Sequence, residues 1–431
     1  MLDPKALTKI QSIILIAIVV VAAIGGAAAY LLDGGKEQSS ETINIGVCAD
    51  LDNFYGKTIL QGAKLAAEQV NAEGGVLGKN FEIVAEDDDS EGGDIDMAVA
   101  ANAMTKLMTV DEADFIISNL FGMYYREIAF EHKKIFFTVM DPNIPLTQGV
   151  LDNYDRYKYY FRGGGGNMTA SVAFIADAVV ACRDQTGFNK VSVIYLSVVE
   201  DLVSLTVTAL EEEGFDVVLS EAVGFNVIDY SSAFAKAEAA GAEIFASFIF
   251  GTAGIQLVKE YYDRQSPMVM MGGSSGSSDF WEITEGKCEH IIGSAYSIVA
   301  GYPLTSKTLP TRDAYFEKWN EPITSEAASA YDLVRFILPD AIDRAGTIET
   351  EAVIKALEET DIETSLARHF VFTPSHDIMI VKGPEQKEFF FSAAFQWQNG
   401  FLVPVYPIEL MNEAGASFTF PDWSGPWDDI D

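Results

Sequence analysis

The chain has 431 residues, of which 49% are hydrophobic and 12% aromatic, so it is long enough for more than one core and too apolar for a disordered protein. Its 64 acidic residues outnumber its 28 basic residues, which leaves a formal net charge of −36. The negative electrostatic field of such a protein repels phosphate backbones, which argues against nucleic acid as a partner. Two α/β lobes with a terminal extension are the expected organisation.

The first element in chain order is an apolar segment from Ile10 to Leu32, uninterrupted from Ile13 onward. At about twenty residues, the uninterrupted run can span a bilayer and is longer than a typical signal-peptide core. Lys5 and Lys9 precede it, so residues 1–9 are expected to remain as a cytoplasmic stub. The sequence therefore predicts a single-pass membrane anchor, with the main domain extracellular or periplasmic.

Processing of this segment remains open at the level of the sequence. Ala27, Ala28 and Ala29 form a small-residue stretch at which a signal peptidase could cleave. A cleaved signal peptide and a prepilin-like processed leader are therefore the alternatives to a retained anchor. Residues 33–41 are polar, without core residues, and predict a linker.

Residues 42–89 predict a complete strand–helix–strand unit. Asn44 to Cys48 is rich in β-formers, and the apolar residues between Ile59 and Val70 recur at the three- and four-residue spacing of one helix face. Glycines then end the helix, and a second strand leads into a run of acidic residues. Strands joined by such a crossover helix lie parallel, which puts residues 50–56 at the carboxyl edge of a sheet, where ligands bind.

The same unit carries a family resemblance. Its elements are a first strand, then Tyr55-Gly56, a helix with Gly62, Ala66 and Asn71, the segment GGVLGK and a strand that ends on two aspartates. The order of these elements resembles the opening of certain substrate-binding proteins. These belong to branched-chain amino-acid (leucine/isoleucine/valine) ABC transporters. The resemblance covers nearly all residues after Glu41. It implies the type I periplasmic-binding fold, an α/β protein with two doubly wound parallel-sheet lobes, about three crossovers and a ligand cleft.

Helices and strands keep alternating along the rest of the chain, as a doubly wound sheet requires. On this pattern lobe 1 comprises residues 42–162 and 300–368, and lobe 2 comprises residues 163–299 and 369–431. The number of crossovers comes from the resemblance, because the residues alone indicate clearly only the first. There a run of glycines, a poor choice inside a helix or strand, predicts a hinge made of Arg162, Gly163, Gly164, Gly165 and Gly166.

The loops at the carboxyl ends of the predicted strands form the candidate site. They combine apolar or aromatic side chains with a few polar groups and helix amino ends, which is the composition of a small-ligand pocket. Core packing is the alternative for each aromatic residue taken alone. The candidate ligand-binding residues are Tyr55, Phe121, Gly122, Met123, Met140 and Asp141 in lobe 1, and Glu200, Phe250 and Ser274 in lobe 2.

The resemblance also implies how an amino acid is held: a hydroxyl-bearing residue in lobe 1 binds the α-carboxylate and a carboxylate in lobe 2 pairs with the α-ammonium. In this chain Phe121, Gly122 and Met123 occupy the first stretch and Gly273-Ser274-Ser275 the second. Losing a buried charge partner is costly. We therefore expect free leucine, isoleucine and valine to bind poorly, and the solute to be neutral or cationic with Asp141 or Glu200 facing any positive charge.

Motifs for metal, nucleotide and catalytic chemistry are incomplete. The acidic stretch from Glu86 to Asp96 matches part of a calcium loop, but Ala98 stands where a bidentate glutamate is needed. Gly163 to Gly166 lacks the Lys-Ser/Thr ending of a phosphate loop, the four histidines show no ligand spacing, and no Gly-x-Ser-x-Gly elbow is present. We therefore expect no metal, no cofactor and no enzymatic activity.

Two further sequence features bear on the cell compartment. The three cysteines have no close spacing and predict buried free thiols: Cys48, Cys182 and Cys288. Asn167-Met168-Thr169 is a glycosylation sequon whose use the sequence leaves open.

Together these features predict an extracellular solute-binding protein. It captures a small polar or amphipathic ligand, such as an amino-acid-like compound, an amide or a related solute, between two lobes and delivers it to an ABC transporter permease. The alternative is a ligand-sensing ectodomain that signals through a membrane partner, although residues 1–9 are too few for a signalling domain. An extracellular enzyme ranks third.

Overall fold

The computed structural model describes residues 42–89, 96–224, 227–273, 279–383 and 385–430. The chain forms two lobes, each built on one large β-sheet. Sheet 1 belongs to lobe 1 and is parallel throughout, with the spatial order β2-β1-β3-β4-β5. Its strands are β1 (Thr42–Ala49), β2 (Asn80–Asp87), β3 (Phe115–Ser118), β4 (Ile135–Thr138) and β5 (Tyr160–Arg162).

Helices cover both faces of sheet 1. Strands β3 and β4 are buried along their whole length. A parallel strand that is covered on both faces has a continuously apolar sequence, because all of its side chains are buried. The connections are α1 (Phe54–Ala72), α2 (Met97–Thr109), α3 (Gly122–His132), α4 (Ile144–Asp152) and α5 (Tyr154–Tyr157).

Sheet 2 belongs to lobe 2 and has the order β14-β13-β10-β9-β8-β6-β7. Strands β6 to β10 are parallel, whereas β13 and β14 form an antiparallel edge that the sequence did not predict. The strands are β6 (Lys190–Leu196), β7 (Asp216–Val223), β8 (Ile244–Phe248), β9 (Val269–Gly272), β10 (Ile292–Ala295), β13 (Ala393–Gln398) and β14 (Phe401–Tyr406). Its helices are α6 (Met168–Thr186), α7 (Glu200–Glu212), α8 (Ser231–Ala239), α9 (Gly251–Arg264), α10 (Phe280–Ile283) and α16 (Ile408–Glu413).

A third group of elements lies between β10 and β13 in sequence and packs mainly on lobe 1. A π-helical turn, Leu333–Ile337, joins its two central helices. The elements are α11 (Ser297–Ala300), α12 (Thr308–Trp319), α13 (Ser325–Asp332), α14 (Leu338–Ala345), α15 (Thr350–Glu358) and a short hairpin of β11 (Asp361–Ile362) with β12 (Phe370–Val371).

The opening motif has a direct physical role in this packing. A side-chain methyl at Gly62 would lie 2.2 Å from the carbonyl oxygen of Ala327, so only glycine lets α1 and α13 approach so closely. Asn71 locks the following turn, because its amide accepts from the Phe81 N–H at 2.7 Å and donates to the Phe81 carbonyl at 2.8 Å. The spacing that carried the resemblance thus fixes helix packing and the return into β2.

Three chain segments cross between the lobes and lie in contact with one another. The first follows β5, the second follows β10, and the third leads into β13. Tyr296 of the second segment donates to the Gly165 carbonyl of the first at 3.0 Å, and its ring centroid lies 5.2 Å from that of Phe390 in the third. Ser294 and Ser392 are joined by a hydrogen bond of 2.8 Å. The crossings therefore form one connected unit.

The third crossing comes later in the chain than the sequence pattern suggested. Phe370, Phe372, Ile378 and Phe390 all belong to the core of lobe 1. These four residues thus pack with lobe 1, whereas the expected boundary at 368/369 assigned them to lobe 2; Gln386 and Lys387 nevertheless bond to Asp177 and Glu413 of lobe 2. The physical reason is that these aromatic side chains fill space beside β5, where Phe161 contacts Phe372 with ring centroids 5.0 Å apart.

A buried ion pair anchors the first crossing. Arg162 is fully buried, and its Nε donates to Asp377 Oδ1 at 2.8 Å while its Nη2 donates to the Asn143 carbonyl at 3.0 Å. The other oxygen of Asp377 accepts from Thr147 in lobe 1 and from Asn167 at the start of α6. Asp377 therefore links the two lobes through the first crossing.

The same contacts bear on the glycosylation sequon. Asn167 Nδ2 donates to Asp377 at 2.9 Å, and Asn167 Oδ1 accepts from the Ala170 N–H at 2.9 Å and so caps α6. Both ends of the amide are used in folding. This favours a structural role for Asn167 over attachment of a glycan.

The glycine run of the first crossing is packed rather than open. A methyl group at Gly164 would lie 2.3 Å from Ser329 Oγ, and one at Gly163 would lie 2.6 Å from Leu333. Gly165 has a φ of +83°, a backbone conformation that residues with a side chain rarely adopt. The glycines therefore permit a close approach to α13 and to the π-helical turn that follows it, in addition to any role as a hinge.

Several expectations fall on residues outside the described ranges. These are the apolar segment from Ile10 to Leu32, the linker at residues 33–41, most of the acidic stretch after Asp89, and Ser274. Within the described part of the chain, no helix is both long enough and apolar enough to cross a membrane.

All three cysteines are buried free thiols, as the sequence predicted. Burial raises the pKa of Cys182 to about 12 and that of Cys288 to about 11. Burial also raises the pKa of Cys48, and the nearby Asp88 carboxylate adds to this effect. The thiolate, which is the reactive form, is therefore scarce at neutral pH.

We predict that Gly164→Ala destabilises the protein by about 1–3 kcal/mol, because the new methyl group overlaps Ser329 and forces the packing apart. Urea unfolding measures the change. Gly224→Ala is the matched control, since a methyl there has no atom within 4 Å and the effect should be close to zero. Equal stability of the two variants would contradict the packed arrangement.

A second prediction concerns the buried pair. Asp377→Ala leaves the Arg162 guanidinium buried without its carboxylate and should cost about 3–5 kcal/mol in urea unfolding. The control is Glu321→Ala, which breaks the exposed pair with Lys57 at 2.8 Å and should cost less than about 1 kcal/mol. A loss at Asp377 no larger than that of the control would refute the anchoring role.

Candidate ligand-binding cleft

The carboxyl ends of the strands in both lobes carry exposed apolar side chains. Tyr55 follows β1 and is 41% exposed, and Phe250 follows β8 and is 47% exposed. Met123 and Met140, after β3 and β4, are also exposed. Large apolar side chains that remain in water at this edge of an α/β sheet are available to a ligand. These four candidates thus remain a proposal for ligand contact.

Phe121 and Gly122 form the start of α3 rather than an open surface. Phe121 has a φ of +60°, is half-buried and packs its ring against Tyr125 at a centroid distance of 6.3 Å. Gly122 is buried, and a methyl there would lie 2.7 Å from Leu146 and 2.9 Å from Asp141 Oδ2. This glycine lets the Asp141 carboxylate reach the helix.

Asp141 does not offer a free carboxylate to a ligand. Its side chain is only 1% exposed, and Oδ2 accepts from the Gly122 N–H at 2.7 Å. Oδ1 accepts from both the backbone N–H and the side-chain amide of Asn143, at 3.0 and 2.6 Å. Asp141 therefore caps the amino end of α3, and its contact with a positive charge on the solute stays a prediction.

Glu200 is placed differently. It is exposed in the first turn of α7, directly after the short 3₁₀ turn Ser197–Val199. Asp201 beside it is also exposed. Negative side chains are favourable at a helix amino end, so these carboxylates stabilise α7 whether or not a ligand is present. Ser274 lies outside the described residues.

An apolar pocket of about 360 Å³ opens at the carboxyl edge of sheet 2. Helices α6 and α7 form one side, and the ends of β8, β9 and β10 form the other. Phe250 is among its lining residues, as are Val199 and Leu202, which flank Glu200 and Asp201 in sequence. The volume suits a small aliphatic or aromatic group.

A larger cavity of about 640 Å³ lies between the lobes, beside the second crossing. Lobe 2 contributes Asp279 and Glu282, the second crossing contributes Ile298 and Val299, and α12 with the loop after it supplies the opposite wall. The lining residues from that wall are Arg312, Asp313, Phe316, Glu317, Pro322 and Ile323. Arg312 forms an ion pair with Asp313 at 2.7 Å.

Sequence reasoning missed this cavity because it considered only loops that follow strands. The walls on α10 and α12 become neighbours only when the second crossing folds back onto lobe 1. The one available signal was Phe316, an aromatic residue left half-exposed within the charged sequence TRDAYFEKW. One aromatic residue in a helix that also contains Tyr315 and Trp319 is a weak signal.

Two of the four histidines, His376 and His290, are buried or partly buried and take part in packing. His376 is buried, stacks on Phe161 with ring centroids 3.9 Å apart and contacts Glu358 through Nε2 at 3.0 Å. Burial lowers the pKa of His376, although Glu358 opposes this effect. His290 contacts Thr419 at 2.9 Å, and burial lowers its pKa as well. No group of three or more His, Cys, Asp or Glu side chains in the described ranges could hold a metal ion.

Comparisons with known proteins agree with this architecture. The family model described as periplasmic binding protein matches residues 42–383. The Leu/Ile/Val-binding protein homolog 7 of Brucella abortus is 22% identical over 396 residues, covering 87% of this chain and 94% of that protein.

Two solved structures share the fold. A branched-chain amino acid ABC transporter periplasmic ligand-binding protein from Burkholderia xenovorans superimposes with a TM-score of 0.67 at 16% identity, covering 88% of this chain and 100% of that one. The substrate-binding protein LivJ from Streptococcus pneumoniae, in complex with isoleucine, gives a TM-score of 0.65 at 20% identity, with coverages of 84% and 97%. Since the family model spans most of the chain and describes binding proteins rather than enzymes, this chain belongs to the periplasmic binding protein family.

Proposed function

We propose that this protein is the solute-binding component of an ABC transporter. It binds a small polar or amphipathic solute between its lobes and delivers the solute to a permease. The observation that supports this is the interlobe cavity, whose walls come from both lobes and whose floor is the second crossing. A solute that touches both walls favours one relative orientation of the lobes, so a partner can recognise occupancy.

The solute class follows from the lining. Exposed aromatic and methionine side chains at the strand ends and the apolar pocket of lobe 2 suit an apolar group, while carboxylates surround the interlobe cavity. The names of the relatives refer to leucine, isoleucine, valine and branched-chain amino acids. An amino-acid-like compound, an amide or a related amphipathic solute is the ligand proposed for this chain.

We further propose that the protein is tethered to the membrane. Membership of the family supports an extracellular or periplasmic location. The segment from Ile10 to Leu32 has the length and apolarity of a single span, and the polar residues 33–41 would act as the linker to the main domain.

The tether is tested by fractionation and by mass spectrometry of the mature amino terminus. We expect the mature protein to be membrane-associated and its sequence to begin before Ile10, because an uncleaved apolar run holds the chain in the bilayer. A mature protein that begins at Tyr30 or later and appears in the soluble fraction would contradict it.

Solute capture is tested with residues 42–431 by a thermal-shift screen of amino acids, amides, peptides and polyamines. A ligand that binds only the folded state raises the apparent melting temperature, and small-angle scattering should then show a more compact particle. The proposal fails if no solute from these classes both stabilises the protein and changes the scattering.

A pair of variants links binding to the cleft. For a solute found in the screen, Phe250→Ala should weaken affinity about tenfold, the loss expected for one exposed aromatic contact. Phe401→Ala is the control, because Phe401 is also exposed but begins β14 at the opposite edge of sheet 2. Equal losses in both variants would argue against a site at the carboxyl edge.

A further inference from the structure

The amino end of α3 is the first feature that bears on the charge of the solute. A helix amino end at the carboxyl edge of a sheet is an attractive position for an anion. Here the position is filled from within the protein, because Asp141 Oδ2 accepts from the Gly122 N–H at 2.7 Å and the carboxylate is buried. A negatively charged solute group would meet an existing negative charge instead of an open anion site.

The loops around the cleft reinforce this bias. Residues 50–55, 119–123, 139–143, 197–201 and 249–252 contain no lysine, arginine or histidine. The buried cation Arg162 is paired with Asp377, and Arg312 in the interlobe cavity is paired with Asp313. Exposed carboxylates remain at Glu200 and Asp201. The local field therefore has the same sign as the net charge of −36.

The apolar pocket of lobe 2 supplies the complementary surface. Its lining includes Val199 and Leu202, and the two residues between them in sequence are Glu200 and Asp201. The wall of this cavity of about 360 Å³ thus includes the two sequence neighbours of a pair of exposed acidic residues in the first turn of α7. A molecule with an apolar group and a positively charged group can use both.

We propose, as a refinement that rests on the proposed solute-binding function, that the ligand is an organic cation with an apolar group and without a carboxylate. The apolar group occupies the lobe 2 pocket, and the cationic group lies near Glu200 and Asp201. Asp141 and the absence of basic side chains in the cleft loops disfavour an anionic group. Free amino acids with branched side chains are therefore weak ligands.

The test is calorimetry of residues 42–431 with four probes that share one branched aliphatic group and differ in charge. Isopentylamine is a cation, isocaproamide is neutral, leucine is a zwitterion and isocaproate is an anion. Affinity should fall in this order, with the amine binding at least tenfold more tightly than leucine. The amine should also weaken with added salt, because the carboxylates are exposed to solvent.

Two double variants distinguish the effect of the carboxylate charges on binding from an effect on the folding of α7. The double variant Glu200→Gln with Asp201→Asn should weaken amine binding at least fivefold and leave amide binding unchanged. Glu211→Gln with Glu212→Gln removes the same charge from exposed positions at the other end of α7 and should change neither. Melting temperatures of both variants show whether α7 remains folded, since acidic residues in the first turn also stabilise a helix.

Leucine or isocaproate binding as tightly as the amine would overturn the inference, as would amine binding that is indifferent to Glu200 and Asp201. If none of the four probes binds while another solute in the screen closes the lobes, the inference fails and the proposed function stands. If no solute binds at all, the proposed function itself fails.

Discussion

The buried pair of Arg162 and Asp377 is the constraint on which the arrangement of the lobes depends. A guanidinium without access to water requires a carboxylate and further acceptors, and the chain brings these from residues more than two hundred positions apart in sequence. The same Asp377 carboxylate also accepts hydrogen bonds from Asn167 at the start of α6 and from Thr147 in α4. The end of sheet 1, the first helix of lobe 2 and the segment before the third crossing are thus tied at one point.

Local sequence patterns were enough to predict the parallel sheets. The apolar runs of β3 and β4 and the glycine stops after α1 are local signals, and the structure has these elements close to the predicted positions. The patterns did not predict the antiparallel pair β13 and β14, or that Phe370, Phe372, Ile378 and Phe390 pack with lobe 1. Both depend on which surface a late segment meets, and a strand pattern carries no information about that choice.

The candidate site was predictable in its location and less so in its chemistry. Alternation of helices and strands puts Tyr55 and Phe250 at strand ends, and the structure has both exposed there. Sequence could not tell that Asp141 is buried as a helix cap while Glu200 is exposed, because both are acidic residues directly after a strand or a short turn. The difference arises from Gly122, whose missing side chain admits the Asp141 carboxylate.

The three buried thiols have a practical consequence for the study of lobe motion. Cys48 lies in lobe 1, Cys182 and Cys288 lie in lobe 2, and burial keeps each in its unreactive protonated form. A cysteine introduced on the surface of each lobe would therefore react with a maleimide dye well before the native thiols do. The wild-type background can carry a donor and an acceptor fluorophore without removal of any natural cysteine, so the distance between the lobes can be followed in single molecules.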